Sequence, residues 1–524
     1  MRAPLPASSS SSSSVISSYY DAIVIGAGWS GLSAAATLVA AEYDNILVLE
    51  ARDRIGGRSH TVTDFFVGPD DDDDDDDDDE STKNNNNNNI PVELGCEFIY
   101  PDCTEKNEIV DIFDRNNIPY TNIDTSTSTC YAIFTDTADG KMDDHITEQL
   151  DKRLYDGFLS YVEQKQKQST SSSSSVEDVD YDKLLRQYKV EENIDNEFDI
   201  QYLNMLMNNN FTISYAADPT TLSVRSTLDD MLDKKDTILG LTSVPNGGNG
   251  LAIEKFVNDA GIDDKIKINS VVKSIDYTQN KNDVIVTYTN NKADDNLRIH
   301  VKAPVVLVTV PLGVLKSGLI QFTPVLPKYK REAIDTMQVG TLNKYILYWD
   351  DATMTAPTSN SFLNMWDSIM DRNWFNLVTT QTETSDIFTS FFNSRAHNGG
   401  KYVLTSWIAG FMAEAMEAFD DDDAVLLKYA MPNLRSIFGT NDVPLPTKSV
   451  MTRWRTDKYS LGSYSYRSVH VNFEDVANAL GSTIDNKLFF AGEHTSPDDW
   501  GGTTVGAYQT GEDAAESMLD VMSS

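Results

Sequence analysis

The stretch YDAIVIGAGWSGLSAAATLVAAEYDNILVLEARDRIGGR, Tyr20 to Arg58, sets two short apolar runs around three spaced glycines and closes on an acid. Ala22 to Ile25 reads as a buried strand. Gly26, Gly28 and Gly31 follow as G-x-G-x-x-G, with Ser30 inside the glycine loop. Ser33 to Ala41 is an alanine-rich helical run, and Ile46 to Leu49 is a second strand that ends on Glu50. The first glycine permits a tight turn. The second lets the backbone approach a pyrophosphate, and the third lets helix and strand touch. The helix N-terminus offers N–H groups to phosphate. Glu50 stands about 20 residues on, where a carboxylate accepts ribose hydroxyls. A bare glycine-rich turn would lack the two strands, the helix and the acid. The stretch therefore predicts a βαβ unit that holds an adenine dinucleotide.

Working outward, Arg54-Ile55-Gly56-Gly57-Arg58 follows the acid almost at once. The glycine pair permits a second close backbone approach. Arg58 offers charge-assisted bonds to a phosphate or to a flavin's polar edge. Arg52 and Arg54 read as a solvated basic loop. With this second glycine pair the stretch resembles the flavin-dependent amine oxidase family, and not the nicotinamide dehydrogenases.

The bulk composition bounds the rest. A chain of 524 residues has room for two large domains. Its formal net charge is −39, part of it in the run Asp70 to Asp79 and Glu80, which Asn84 to Asn89 follow. Ser8 to Ser14 and Ser171 to Ser175 are further low-complexity tracts. Such tracts bury no apolar area and predict disorder. Without the acidic run the chain is still strongly acidic. That disfavours bare nucleic acid as a partner and suits a polycationic one, or simply solubility. Three cysteines, Cys96, Cys103 and Cys130, suggest neither a disulfide framework nor a zinc site, so no metal is expected. Without an apolar leader run, a membrane-length apolar stretch or a peroxisomal C-terminus, the expected location is cytoplasmic.

Along the chain, His60 to Val67 and Ile90 to Leu94 read as a hairpin whose loop has been expanded. Residues 105 to 239 carry helix-like periodicity. Strand patterns run over Ile266 to Ile275, Val284 to Thr289, Leu297 to Val301 and Val305 to Val310. A helix is expected at Tyr329 to Asp335, strands at Thr341 to Trp349 and Tyr402 to Ile408, and a last buried strand at Leu488 to Ala491. The alternation predicts an α/β plus α+β architecture, a Rossmann-type FAD-binding domain with a discontinuous inserted substrate-binding domain. The FAD-binding parts are 19–110, 240–320 and 446–524, with 68–89 a disordered insert. The substrate-binding parts are 111–239 and 321–445, and 1–18 is a disordered N-terminus.

Four distant motifs extend the resemblance to about residues 20 to 520. Phe489 to Thr495 and Trp500 to Tyr508 resemble the family's C-terminal flavin motif, with a helix opening at Gly506-Ala507. This implies that Glu493 contacts the ribityl–phosphate region and that Thr503 and Thr504 lie at the flavin. His494 reads as structural. Leu342-Asn343-Lys344 resembles the strand whose lysine binds a water beside flavin N5. Alternation sets Lys344 on a face with Leu342, Ile346 and Tyr348, so it is buried, and burial favours its neutral form. Arg453-Trp454 and Gly462-Ser463-Tyr464-Ser465-Tyr466 imply that Trp454 packs on the flavin and that Tyr464 walls an amine cage. Asn269-Ser270-Val271-Val272 resembles the strand whose Val272 main chain holds adenine.

The departures also carry information. Ser463 stands where monoamine oxidases attach flavin through cysteine, implying non-covalent FAD. Thr503 replaces a second cage tyrosine, implying a one-sided cage. Val92-Glu93-Leu94-Gly95 fits the family, but Tyr100 stands where some polyamine oxidases hold a substrate ammonium with an acid. Glu97, Asp102 and Asp218 are the candidate replacements. The resemblance is greatest to polyamine oxidases, with a small-molecule polyamine and dioxygen as substrates. The alternatives are a histone lysine demethylase, whose chromatin module and coiled-coil insertion are not visible, a non-catalytic flavoprotein, and a carotenoid or porphyrinogen oxidoreductase.

Overall fold

The computed structural model of the chain describes residues 15–63, 65, 91–99, 107–124, 131–135, 140–170, 179–232, 237–241, 247–278, 283–291, 297–369, 374–379, 387–394, 400–497 and 500–524. Tyr100, Asp102, Cys103, Cys130 and the serine, acidic and asparagine runs named above lie outside these residues.

The opening stretch folds as read. Strands Ala22–Ile25 and Ile46–Leu49 pair in parallel, and helix Trp29–Ala40 joins them. The helix begins directly after Gly28, earlier than its alanine-rich run suggests. Five parallel strands form the sheet, in the order Ile266–Lys267, Ile46–Leu49, Ala22–Ile25, Val305–Val308, Leu488–Phe490. Its three central strands are buried on both faces, which is why they read as unbroken apolar runs. Successive side chains serve opposite cores. Ala22 and Val24 pack with the helices Trp29–Ala40 and Thr504–Met522, while Ile23 and Ile25 pack against a second sheet. At the helix crossing a Cβ on Gly511 would stand 2.1 Å from the Ser30 carbonyl, so glycine is what lets the two helices meet. Ser33 then ties them, its hydroxyl donating to the Tyr508 carbonyl at 2.8 Å.

That second sheet runs Val15–Tyr19, Ile299–Ala303, Val284–Asn290, Ser270–Asp276, Gln321–Thr323. Two expectations are corrected here. Val15–Tyr19 is an edge strand parallel to Ile299–Ala303, so order begins within the expected N-terminal tail. The run Ile266 to Ile275 is two strands, not one. Asn269 adopts φ 57° and breaks the extension, sending Ile266–Lys267 to the parallel sheet and Ser270–Asp276 to this one.

A third sheet has the order Lys448–Met451, Leu342–Trp349, Tyr402–Ala409, Ser390–Asn393, Trp374–Val378, Tyr131–Thr135. Lys448–Met451 joins it through Leu342–Trp349, although its position in the chain assigned it to the nucleotide part. One face of Leu342–Trp349 buries Tyr345, Leu347 and Trp349 among Trp366, Phe362 and Phe438. The segment 105–239 is largely helical, as its periodicity suggests, but also holds strands Tyr120–Asp124, Tyr131–Thr135 and Thr237–Leu241. Its helices pack around Phe158, Tyr181, Tyr202 and Phe211. Two of them are interrupted by π-helical turns, Asp151–Asp156 and Asn208–Ile213. Among the described residues no helix is long and apolar enough to cross a membrane.

Candidate active site

One cavity of about 1460 Å³ runs from the glycine loop of the parallel sheet to the inner face of the third sheet. Gly26, Gly28, Ser30, Glu50, Arg58, Val272, Lys344, Trp454, Tyr464, Glu493, Thr503 and Thr504 all line it. The sequence motifs, separated by hundreds of residues, therefore share one cavity.

At the glycine end the third glycine, Gly31, packs rather than lines: a Cβ there would stand 2.0 Å from the Gly26 carbonyl. Gly28 has no atom within 4 Å of where a Cβ would point, so space is open above it. Ser30 Oγ and Trp29 Nε1 beside it are buried with no partner among the described residues. Buried donors are ordinarily satisfied, so a cradle with two orphans at a helix N-terminus fits the acceptors of a pyrophosphate. Glu50 is held from behind. Its Oε2 accepts the Ala27 N–H and its Oε1 the Arg52 N–H, each at 2.8 Å. Burial nonetheless outweighs these bonds and raises its pKa. Val272 lies at a bulge in the pairing of Ser270–Asp276 with Val284–Asn290.

Arg58 and Glu493 form the second knot. Arg58 Nη1 donates to Glu493 Oε1 at 2.9 Å and to the Ser463 carbonyl. Glu493 Oε2 accepts from the Ser465 hydroxyl at 2.6 Å and from the backbone N–H groups of Ser465 and Gly502 at 3.2 and 3.1 Å. Burial would raise this carboxyl, but Arg58, His494 and Ser465 outweigh it and hold it below the usual range. Neighbouring His494 is buried, and burial drives its pKa down to about 4. Arg52 does not belong to a solvated loop. Its guanidinium grips Asp457 at 2.7 and 2.9 Å and adds Ser460 at 3.0 Å. Arg54 is also drawn in, and burial lowers its pKa to about 10.

Lys344 sits on Leu342–Trp349 as alternation requires, 5% exposed. Thr452 exchanges bonds with its main chain at 2.8 and 2.9 Å. The adjacent Asn343 points the other way, donating to the buried Glu417 and accepting the Trp454 N–H at 3.0 Å. One correction follows. Burial alone argues for an isolated neutral amine, but Lys344 is paired. Its Nζ donates to Glu97 Oε2 at 2.6 Å and to the Glu93 carbonyl at 2.8 Å. Glu97 is thus in the cavity, held by the lysine. The Glu93 carboxyl accepts from Asn249 N and Thr61 Oγ1, and burial pushes its pKa up to about 7.

Tyr464 donates its hydroxyl to the Ser214 carbonyl at 3.0 Å, beside the π-helical turn Asn208–Ile213. Thr503 caps the last helix, accepting the Gly506 N–H at 3.0 Å, so that helix opens at Thr504 and not at Gly506. Ser463 ties its loop to the start of strand Leu342–Trp349, its hydroxyl accepting the Leu342 N–H and donating to the Leu342 carbonyl. Asp218 is not among the cavity residues. Its carboxylate accepts the Phe411 N–H at 2.8 Å in the first turn of helix Gly410–Met416, which follows the strand Tyr402–Ala409.

Sequence reasoning missed the cavity's aromatic wall. Trp374 and Trp407 stand 5.0 Å apart, with Phe98 6.2 Å from each. Trp407 is directly opposite Lys344 in strand pairing, and Asn376 and Ser390 continue the same face. The only signal available was an indole on an alternating strand, and that marks a core as readily as a site. Among the described residues no group of three or more His, Cys, Asp or Glu side chains could hold a metal.

Comparison with known proteins agrees with this geometry. The family model for flavin containing amine oxidoreductase matches residues 29–519. Polyamine oxidase 2 of Arabidopsis thaliana is 28% identical over 510 residues, covering 94% of this chain and 87% of that one. Lysine-specific histone demethylase 1 homolog 1 of the same plant is 34% identical over 277 residues, but these cover 52% of this chain and 29% of that one. A solved putrescine oxidase variant, redesigned in its cofactor binding, has the same fold, with a TM-score of 0.66 at 15% identity over 96% of this chain and all of that one. A family match across nearly the whole chain, on a fold whose cradle suits a dinucleotide, places this protein among the flavin containing amine oxidoreductases, as an FAD-dependent oxidoreductase.

Proposed function

We propose that the protein oxidises polyamines, spermine or spermidine or their acetylated forms, with dioxygen as electron acceptor. The products are an imine, which water hydrolyses to an aldehyde and an amine, and hydrogen peroxide. The observation that carries this reading is the chemistry of one cavity wall. Lys344, Trp407, Trp374 and Tyr464 offer rings and one ammonium group, while Asp151 and Asp156 add carboxylates along the same cavity and Glu148 beside them is paired with Lys152 at 2.9 Å. Indole faces attract alkylammonium groups and bury methylene chains, and spaced acids suit a second or third positive nitrogen. The full-length match to a polyamine oxidase supports the same reading.

In this reading Gly26, Gly28 and Ser30 hold the pyrophosphate, with Gly31 packed behind them, and Glu50 holds the ribose. The Val272 main chain meets adenine. Arg58, Trp454, Glu493, Thr503 and Thr504 surround the flavin half, and with serine at 463 the FAD is bound non-covalently. FAD supplies the two-electron chemistry; the protein supplies orientation, desolvation and proton handling. Tyr464 and Lys344 work at the reacting end.

Anaerobic mixing of the purified holoenzyme with spermine, spermidine, monoamines and a methylated histone peptide tests it. Bleaching of the flavin absorbance by spermine or spermidine is expected. Bleaching by the peptide alone would transfer the assignment to histone demethylation, and bleaching by none would leave a flavoprotein without this activity.

A further inference from the structure

An amine must be uncharged at nitrogen to lose hydride equivalents from its α-carbon, yet alkylamines reach the protein as ammonium ions at neutral pH. Something must take the proton. Glu97 is built for that. Its carboxylate side chain is 12% exposed and lines the cavity, and both it and the loop that carries it are held in place. Lys344 Nζ holds Oε2 at 2.6 Å. The preceding Cys96 N–H bonds the Arg58 carbonyl, and Asn249 Nδ2 bonds the Cys96 carbonyl at 2.8 Å. A Cβ on Gly95 would fall 1.9 Å from the Arg58 carbonyl, so the loop that carries Glu97 is laid directly on the second glycine segment. Among the described residues Glu97 Oε1 has no hydrogen-bond partner, so one oxygen remains for a ligand.

We propose that Glu97 Oε1 accepts the proton of the incoming ammonium, with Lys344 as the positioning cation that holds the carboxylate in place. The N–H bond of the ammonium breaks, an O–H bond forms on Glu97, and the lone pair stays on nitrogen as neutral amine. The proposal rests on amine oxidation by this site, not on which amine is used. Local electrostatics favour the transfer. An ammonium beside the rings of Trp407, Trp374 and Phe98 has lost its hydration, and the like charge of Lys344 repels it. Moving the proton to Glu97 takes that charge off the apolar wall, and Lys344 keeps its bond to the Glu93 carbonyl at 2.8 Å. The other titratable groups facing this pair are Glu93, on the strand Val92–Glu93, and the Cys96 thiol. Glu93 titrates near pH 7, but its oxygens are engaged by Asn249 and Thr61, and the thiol is pushed up to about 11 by burial and by Glu93.

Two measurements on the holoenzyme test this. In anaerobic stopped flow with amine far below saturation between pH 6 and 10, the native second-order rate of flavin reduction is expected to vary little down to neutral pH. Glu97→Gln should lose about tenfold for each unit below the amine's own pKa, and Glu97→Asp should restore the flat profile. In calorimetry with an amine bearing no α-hydrogen, run in buffers of different ionisation heat, the native complex should release close to zero protons per amine bound and Glu97→Gln about one. Native enzyme releasing a full proton would overturn the proposal whatever the variant does. So would a Glu97→Gln profile that overlays the native one. Glu93→Gln serves as a control and should leave the proton count unchanged. If no amine bleaches the native flavin, amine oxidation itself fails, and the calorimetric count still judges Glu97 separately.

Discussion

Gly28 and Gly31 stand three residues apart and constrain different things. Gly28 faces open space, whereas Gly31 faces the Gly26 carbonyl at a distance no Cβ tolerates. Gly28→Ala should therefore fold with a native melting temperature yet copurify with much less FAD, because the methyl fills the phosphate cradle. Gly31→Ala should lose both flavin and several degrees of melting temperature. Visible-to-ultraviolet absorbance ratios and thermal melts separate the two outcomes. Lys344→Met should keep bound flavin but slow turnover by about 10²-fold, the range of a lost acid–base or positioning group; unchanged stopped-flow rates would remove Lys344 from the chemistry. His494 gives a pH signature. It stays neutral in the fold with its pKa near 4 because it is buried, while the unfolded chain binds a proton below its ordinary 6.5. The unfolded state then holds more protons between about pH 6.5 and 4, and stability falls as pH drops through that window. Denaturant titrations should show a shallower acid loss in His494→Gln. At this scale the sequence was legible where a residue's placement is local, as with Gly28 in the glycine loop, Glu50 at a strand end and Lys344 on an alternating strand face. It was not legible where the role is a partner. Glu97 meets Lys344 across 247 positions, and Arg52 meets Asp457 across 405.

Among the elements, the strands gave themselves away by pattern and their neighbours did not. Val305–Val308 is apolar throughout because helices and a second sheet cover both its faces. Leu342–Trp349 shows both faces largely apolar for a different reason: one faces a core, and the other sets Leu342 and Lys344 on the cavity while Ile346 and Tyr348 pack with Phe65, Val92 and Val403. Nothing in either run says which strand lies beside it, so the placing of Trp407 opposite Lys344 had to come from register. The break at Asn269 was equally hidden, since a single left-handed residue divides what reads as one strand. The short hairpin of Thr61–Val62 with Val92–Glu93 makes a prediction of its own. Its strands pair in register despite the long acidic connection between them. Replacing residues 66–89 by a five-residue turn should leave flavin content unchanged and raise stability by about 1 kcal/mol, because closing a shorter loop loses less chain entropy. Chemical denaturation of the shortened protein checks both.

For the whole molecule, charge is the dominant fact. A net charge of −39 surrounds a cavity whose proposed ligand is a polycation. Such a field raises the encounter rate and is screened over about 10 Å at 0.1 M salt. The kcat/KM for spermine should therefore fall roughly tenfold between about 0.02 and 0.2 M salt, and that for a monoamine much less. A flat salt dependence for both would mean that the charge serves solubility alone.

The order of strands in the parallel sheet has a consequence for how the protein is made. Val305–Val308 lies between Ala22–Ile25, near the start of the chain, and Leu488–Phe490, near its end. The helix that packs on the glycine loop, Thr504–Met522, comes later still. A ribosome adding about 5–20 residues per second releases the first glycines long before the pieces that enclose them. The nascent chain therefore carries its most recognisable motif for tens of seconds without a pocket around it, and FAD can be captured only after Thr504–Met522 has emerged.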